Sequence, residues 1–184
     1  DIEIKTGKKI KVIAVSARNI NKKRQFKFDK KLFYKNPLDI LKKHQVDILF
    51  EAIGQSDGIS KKIVEFALNS GIHVISPNKA LISKHGNTLS QLAEKNNVNL
   101  EFEASVAGGI PILKTIKEGL ATNKISKVYG ILNGTSNYIL SKMSEFNLNF
   151  KEVLDSAKKL GYAEKNPKTD LNGDDVKSKI QIFR

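Results

Sequence analysis

Four short strand-like runs, separated by stretches whose apolar residues recur at helical spacing, narrow the fold of this chain more than any other feature. KIKVIAVS (9–16) and VDILFEAI (46–53) are short, apolar and rich in β-branched residues, as strands buried on both faces are, and 72–75 and 98–103 read as a third and a fourth strand. Between them, Asn36 caps a helical segment at 37–44 with Pro37 at its first position. The segment 60–70 places Ile63, Val64, Ala67 and Leu68 on one stripe and stops at Gly71, and 89–95 closes a further helix. Strand and helix alternating through short links predict an α/β fold, a partial Rossmann-like, doubly wound parallel sheet over residues 1–104. Ligands of such folds gather at the carboxyl ends of the strands. Those ends carry Ser16-Ala17-Arg18, Ala52-Ile53-Gly54, Ser76-Pro77-Asn78-Lys79 and Glu103-Ala104-Ser105, which are therefore expected to be site loops.

Beyond residue 104 the rhythm changes, and residues 105–184 are expected to form part of a second, α+β domain. A helix begun by proline is predicted at 111–120, a strand at 124–132, and amphipathic helices at 137–146 and 150–160. The segment 174–184 ends inside an apolar helical pattern of Val176, Ile180, Ile182 and Phe183. Neither an internal repeat nor a low-complexity linker interrupts the chain.

Composition limits the functional classes. No apolar run approaches the ~20 residues of a membrane span, so no membrane partner is expected. The absence of cysteine excludes disulfides and thiolate metal sites, and suits a reducing cytoplasm. A net charge of +13 would suit nucleic acid if it were concentrated, but lysines are spread over almost every predicted helix. The densest group, Lys22-Lys23-Arg24 with Lys27, Lys30 and Lys31, flanks Phe26 and Phe28, which could stack on bases; a lysine-rich surface is the simpler reading. His44, His73 and His85 lack metal-ligand spacing, with His73 expected to be packed in a strand and the others solvated. Tyr138 and Tyr162 read as core or lid contacts.

A dinucleotide fold usually carries G-x-G-x-x-G between its first strand and helix, where backbone N–H groups cradle a pyrophosphate. None is present; Gly108-Gly109 comes too late and runs into Ile110-Pro111. Arg18 stands where an acid would bind ribose hydroxyls in an NAD enzyme, and an arginine there would favour a 2′-phosphate, hence NADP; a solvated loop arginine is the plainer alternative. Asn133-Gly134-Thr135-Ser136-Asn137 follows a strand-like run and opens a helix, with Thr135 or Ser136 as the expected cap, or a cradle for a carboxylate or phosphate. The segment 161–179 holds Glu164, Asp170, Asp174 and Asp175, two turn glycines, Pro167 and Lys179. It can be a solvated loop ahead of a capped helix with an Asp175–Lys179 surface pair, or a site for a small charged molecule with a lysine poised to move a proton.

Four motifs add up to a resemblance. SPNKAL (76–81), EASVAGGIP (103–111), ILNGTSNYIL (131–140) and AKKLGYAEKNPKTDLNGDDVKSK (157–179) resemble homoserine dehydrogenases, in that family's order and over essentially the whole chain. The last matches the family pattern A-x-x-x-G-[FY]-x-E-x-[DN]-P-x-x-D-[LIVM]-x-G-x-D-x-x-x-K at every specified position. The resemblance implies reversible reduction of L-aspartate 4-semialdehyde to L-homoserine with NADPH or NADH, on the route to threonine and methionine. It makes Lys179 the general acid, Asp175 its orienting partner, and Glu164, Asp170 and Lys79 the substrate contacts, with Arg18, Gly54, Ser76 and Lys79 near the cofactor. Glu103 and the carbonyls of Val106, Gly108 and Ile110 would hold a monovalent cation such as Na+, although a glycine hinge is equally compatible. A homodimer in the complete protein is implied as well.

The residues agree with this where they can. Homoserine and the semialdehyde are zwitterions, so a site needs carboxylates for the ammonium and cations or N–H donors for the carboxylate. A lysine among carboxylates stays protonated, which suits an acid in reduction, and the reverse oxidation should prefer alkaline pH. The family's first strand and glycine-rich loop have no counterpart before Asp1, and its last elements none after Arg184, so these 184 residues are expected not to turn over alone. Other readings are a different NADP-dependent oxidoreductase of a small amino-acid aldehyde, and a non-catalytic binding module. The joint presence of Lys79, Glu164, Asp175 and Lys179 argues against the latter.

Overall fold

The computed structural model describes residues 2–22, 24, 29–164 and 166–183. Lys23, Lys27, Phe26 and Phe28 of the basic loop lie outside the described residues. In chain order the elements are α1 (Ile2–Thr6), β1 (Val15–Ser16), a 3-10 turn (Lys30–Leu32), β2 (Phe33–Tyr34), α2 (Pro37–Lys43), β3 (Ile48–Phe50), α3 (Ile59–Asn69), β4 (His73–Ile75), α4 (Lys79–Lys95) and β5 (Leu100–Glu101). After a 3-10 turn at Glu103–Ser105 come α5 (Ile112–Lys114), passing into a π-helical turn (Thr115–Gly119), then α6 (Gly134–Phe146), α7 (Phe150–Lys159), α8 (Lys168–Leu171) and α9 (Asp174–Phe183).

Every strand pair is parallel, as expected of strands joined through helices. Among the described residues the strands form two sheets, β1-β2 and β3-β4-β5, rather than one continuous sheet. Strand order in the larger sheet follows chain order, with α3 and α4 as the crossovers. The α3 stripe read from sequence is buried: Ile63, Val64, Ala67 and Leu68 pack with Val74 of β4, with Leu81, Ile82, Leu89 and Ala93 of α4, and with Leu41. A second core gathers Ile139, Val153, Ala157 and Ala163, with Tyr138, Met143 and Leu154 against it. Ile182 of α9 packs on the first core, and α9 lies against α4. This contact brings the start of α9, with Asp175, to Lys79 at the carboxyl edge of the larger sheet.

Several expected elements differ. The 9–16 run forms a ladder only at Val15–Ser16, because its partner β2, which the sequence did not disclose, is two residues long; Ile10 and Val12 are exposed. The strand expected at 124–132 is irregular, with Ile125, Val128, Tyr129 and Ile131 exposed. An isolated run cannot satisfy its backbone N–H and C=O groups without a neighbouring strand, whatever its β-propensity. At 111–120 the expected helix changes to π geometry after one turn. The helix expected to close at 95 begins at Lys79, capped by the Asn78 side chain on the Leu81 N–H. The cap of α6 is Asn133, not Thr135 or Ser136, and its Oδ1 accepts from the Ser136 N–H at 2.8 Å. His73 is exposed rather than packed, its Nδ1 accepting from the Asn99 N–H. Nor are the other histidines simply solvated: His44 meets the Tyr34 hydroxyl at 2.7 Å and His85 meets Asp57 at 2.9 Å.

Candidate active site

The Asn172-Gly173 turn aims α9. Gly173 takes φ +84°, a left-handed conformation that favours glycine, and Asn172 exchanges hydrogen bonds with Asp174 through its side chain. Asp175 then falls in the first turn of α9, where the unpaired N–H groups favour a carboxylate, and Lys179 stands one turn on along the same face. The two pair at 2.7 Å, and the Lys179 ammonium also donates to the Leu132 carbonyl at 2.6 Å. The Lys79 ammonium, from the first residue of α4, sits on the other oxygen of Asp175. This is no surface pair: the Asp175 side chain is 10% exposed and that of Lys179 19%.

Asn133 completes the cluster. Its Nδ2 donates to Asp175 Oδ2 and to Asp170 Oδ1, each at 2.9 Å, so one amide ties both aspartates to the start of α6. Ser136 Oγ donates to the Asp170 carbonyl at 3.2 Å. The Thr135 hydroxyl lies 2.6 Å from the Tyr162 carbonyl and 3.3 Å from Asp170 Oδ2. Burial alone would raise the Asp175 pKa. Hydrogen bonds from Asn133, Lys179 and Lys79 outweigh it and hold the carboxyl down at about 2, against an ordinary 3.8. Two ammonium groups and two carboxyls thus meet within one hydrogen-bonded cluster, as a zwitterionic ligand requires.

Among the described residues, no side-chain hydrogen bond or ion pair joins the other residues singled out in the sequence to this cluster. Glu164 is exposed on the loop at 161–167, and among the described residues neither hydrogen bond nor ion pair reaches its carboxylate. Gly54, past the end of β3, takes φ +84° and faces open space where a side chain would stand. Ser76 is fully buried, its hydroxyl donating to Glu51 Oε2 at 2.6 Å. Arg18 is exposed beyond β1. Glu103 caps α5, its carboxylate accepting from the N–H groups of Leu113 and Lys114 at 2.9 and 2.8 Å. The Ile110 carbonyl accepts from Ile112 at 2.8 Å, and the chain turns through left-handed Ala107 and Gly108 between Val106 and Ile110. That donor set is all oxygen, which fits a hard cation.

Sequence reasoning passed over Asn133 as a link between carboxyls, the Leu132 carbonyl and Glu51. A signal existed for Glu51, a lone acid inside an apolar run expected to be buried.

A parallel α/β sheet with a lysine–carboxylate cluster and an open glycine turn at its carboxyl edge defines a Rossmann-like, nucleotide-binding enzyme fold. Comparison with known proteins narrows this. The profile "Homoserine dehydrogenase, NAD binding domain" matches residues 2–103, and "Homoserine dehydrogenase" matches residues 111–184. The chain belongs to the homoserine dehydrogenase family. It is 42% identical over 183 residues to the homoserine dehydrogenase of Neisseria gonorrhoeae, covering 100% of this chain and 42% of that one. The Bacillus subtilis enzyme is 38% identical, covering 96% and 41%. Among solved structures, an S. aureus homoserine dehydrogenase at pH 7.0 superposes with a TM-score of 0.82 at 36% identity, covering 99% of this chain and 44% of that one. A hyperthermophilic archaeal homoserine dehydrogenase in complex with NADPH superposes with a TM-score of 0.73 at 27% identity, covering 99% and 51%. The chain therefore spans less than half the length of the curated relatives.

Proposed function

We propose that this chain supplies the lysine–carboxylate site of a dehydrogenase that reversibly reduces L-aspartate 4-semialdehyde to L-homoserine with NADPH or NADH, on the route to threonine and methionine. The observation that carries the proposal is the Lys179 ammonium, held by Asp175 and the Leu132 carbonyl with Lys79 on the opposite carboxylate oxygen. A nicotinamide cofactor, when bound, supplies the hydride. Lys179 gives a proton to the aldehyde oxygen as that oxygen gains charge, so that hydride and proton together turn the aldehyde into the alcohol. Asp175 and the Leu132 carbonyl fix the direction of the ammonium, and Asn133 fixes Asp175.

Lys79 and Asp170 orient the carboxylate and ammonium of the substrate, and Glu164 closes on the ammonium from its loop. The cofactor contacts Arg18, Gly54 and Lys79, with the buried Ser76 supporting the turn that leads into Lys79 and Arg18 favouring a 2′-phosphate. Support for the contact at Gly54 is the open space there. Glu103 and the carbonyls of Val106, Gly108 and Ile110 hold a monovalent cation such as Na+, which braces the passage between domains 1–104 and 105–184 and takes no part in the chemistry. The working protein is a cytoplasmic homodimer without a nucleic-acid or membrane partner. The dimer follows from the resemblance to the family; the cysteine-free composition suits a reducing compartment.

The test is an assay of the whole gene product with L-aspartate 4-semialdehyde and NADPH, following the nicotinamide absorbance band. Cofactor oxidation matched by homoserine formation is expected; no turnover with either NADPH or NADH would reject the assignment.

A further inference from the structure

Glu51 stands one residue past β3 and is only 2% exposed, at a place where a parallel sheet ordinarily buries an apolar side chain. Burying a carboxyl there is costly unless hydrogen bonds replace its water. Both oxygens are engaged: Oε2 accepts from the Ser76 hydroxyl at 2.6 Å, and Oε1 from the Ile53 N–H at 2.7 Å and Asn78 Nδ2 at 3.3 Å. The Ser76 oxygen in turn accepts from the Asn78 N–H at 3.1 Å. Asn78 Nδ2 also donates to the Gln55 carbonyl at 2.9 Å, while its Oδ1 caps α4 at the Leu81 N–H. The next residue is Lys79, the first of α4, whose ammonium meets Asp175.

We infer that Glu51 is a positioning residue for Lys79: its buried carboxyl locks the ends of β3 and β4 together, fixing where α4 starts and hence where the Lys79 ammonium meets the Asp175 carboxylate. Glu51 touches neither reacting atom nor substrate and acts through the cap. With an amide in its place only one acceptor oxygen remains, so either the Ser76 hydroxyl or the Ile53 N–H and Asn78 Nδ2 face a donor instead of an acceptor, and the anchor of the Ser76–Asn78 turn to β3 is weakened. Lys79 then has a less fixed origin. The catalytic importance of this placement rests on the function proposed above; the placement itself does not.

The test compares Glu51→Gln, Lys79→Ala and the double variant in the whole gene product, with two readouts. Turnover of the semialdehyde should fall about tenfold to a hundredfold in kcat/KM for Glu51→Gln, carried by KM, since a small misplacement of a binding group costs that much. In the Lys79→Ala background the same change should cost nothing further, because a residue acting through Lys79 has nothing left to position. The second readout needs no turnover: the Asp175 carboxyl, followed by carbon NMR, should titrate higher in Glu51→Gln as Lys79 leaves it. Additive losses in the double variant, or an unchanged Asp175 titration, would overturn the inference. If wild-type protein does not reduce the semialdehyde, the functional assignment falls while the titration still decides the role of Glu51. Should Glu51→Gln fail to fold, Glu51→Asp keeps a carboxyl but draws it back from the Ser76 hydroxyl and the Ile53 N–H, and carries the same expectations.

Discussion

Lys79 and Asp175 are ninety-six positions apart in the chain, yet their side chains pair where the first turns of α4 and α9 meet. A carboxyl held at about 2 when folded and near 3.8 when unfolded binds fewer protons in the native state. Its contribution to stability is therefore complete above about pH 4 and is lost as pH falls through 2, a total on the order of 2 kcal/mol. Asp175→Asn lacks that contribution. The stability gap between wild type and variant, measured by urea unfolding, should be widest at pH 5 and above and should narrow toward pH 2. A gap constant across that range would mean that the two lysines do not act on an ionised Asp175.

Lys179 makes two polar contacts, to Asp175 and to the Leu132 carbonyl. Removing the ammonium while leaving the aspartates in place should strike the chemical step. Lys179→Ala is expected to lower kcat about 10²- to 10⁴-fold, the range of a lost general acid, with a far smaller change in KM. Steady-state rates under saturating cofactor check this. A near-normal kcat would assign the proton to another group.

Asn133 is 6% exposed, and its side chain serves Ser136, Asp170 and Asp175 together. Asn133→Ala removes the cap of α6 and leaves two carboxyls without a shared donor, which should destabilise the fold by about 1–3 kcal/mol. Asn133→Asp should be worse for activity than for stability, because it keeps the cap but sets a third carboxyl against Asp170 and Asp175. Thermal melts beside kcat/KM separate the two effects.

The contrast between Asn133 and Lys179 also shows what the sequence can disclose. Parallel α/β architecture follows from apolar runs and a helical stripe, because burial on both faces of a sheet and on one face of a helix imposes different periods; Ile63, Val64, Ala67 and Leu68 are buried as that rule requires. Asp175 and Lys179 are legible because a four-residue spacing is local. What joins Lys79 to Asp175, or Glu51 to Ser76, depends on packing between elements far apart in the chain, and no local period encodes it. The 124–132 run failed as a strand for a related reason: pairing is a property of two segments, and composition describes one.

Glu164 is exposed, and among the described residues no hydrogen bond joins it to the cluster of Lys79, Asn133, Asp170, Asp175 and Lys179. A carboxylate that holds the ammonium of a zwitterion equally well before and during reaction contributes uniform binding, which lowers KM and leaves kcat alone. Glu164→Gln should therefore raise KM for the semialdehyde about tenfold to a hundredfold with kcat nearly unchanged, as expected of one lost charge-assisted hydrogen bond of roughly 1.5–3 kcal/mol. KM for the cofactor should not move. Were Glu164 instead to steer proton transfer, kcat would fall in Glu164→Gln and KM would hold, so a single pair of saturation curves distinguishes a binding carboxylate from a reacting one.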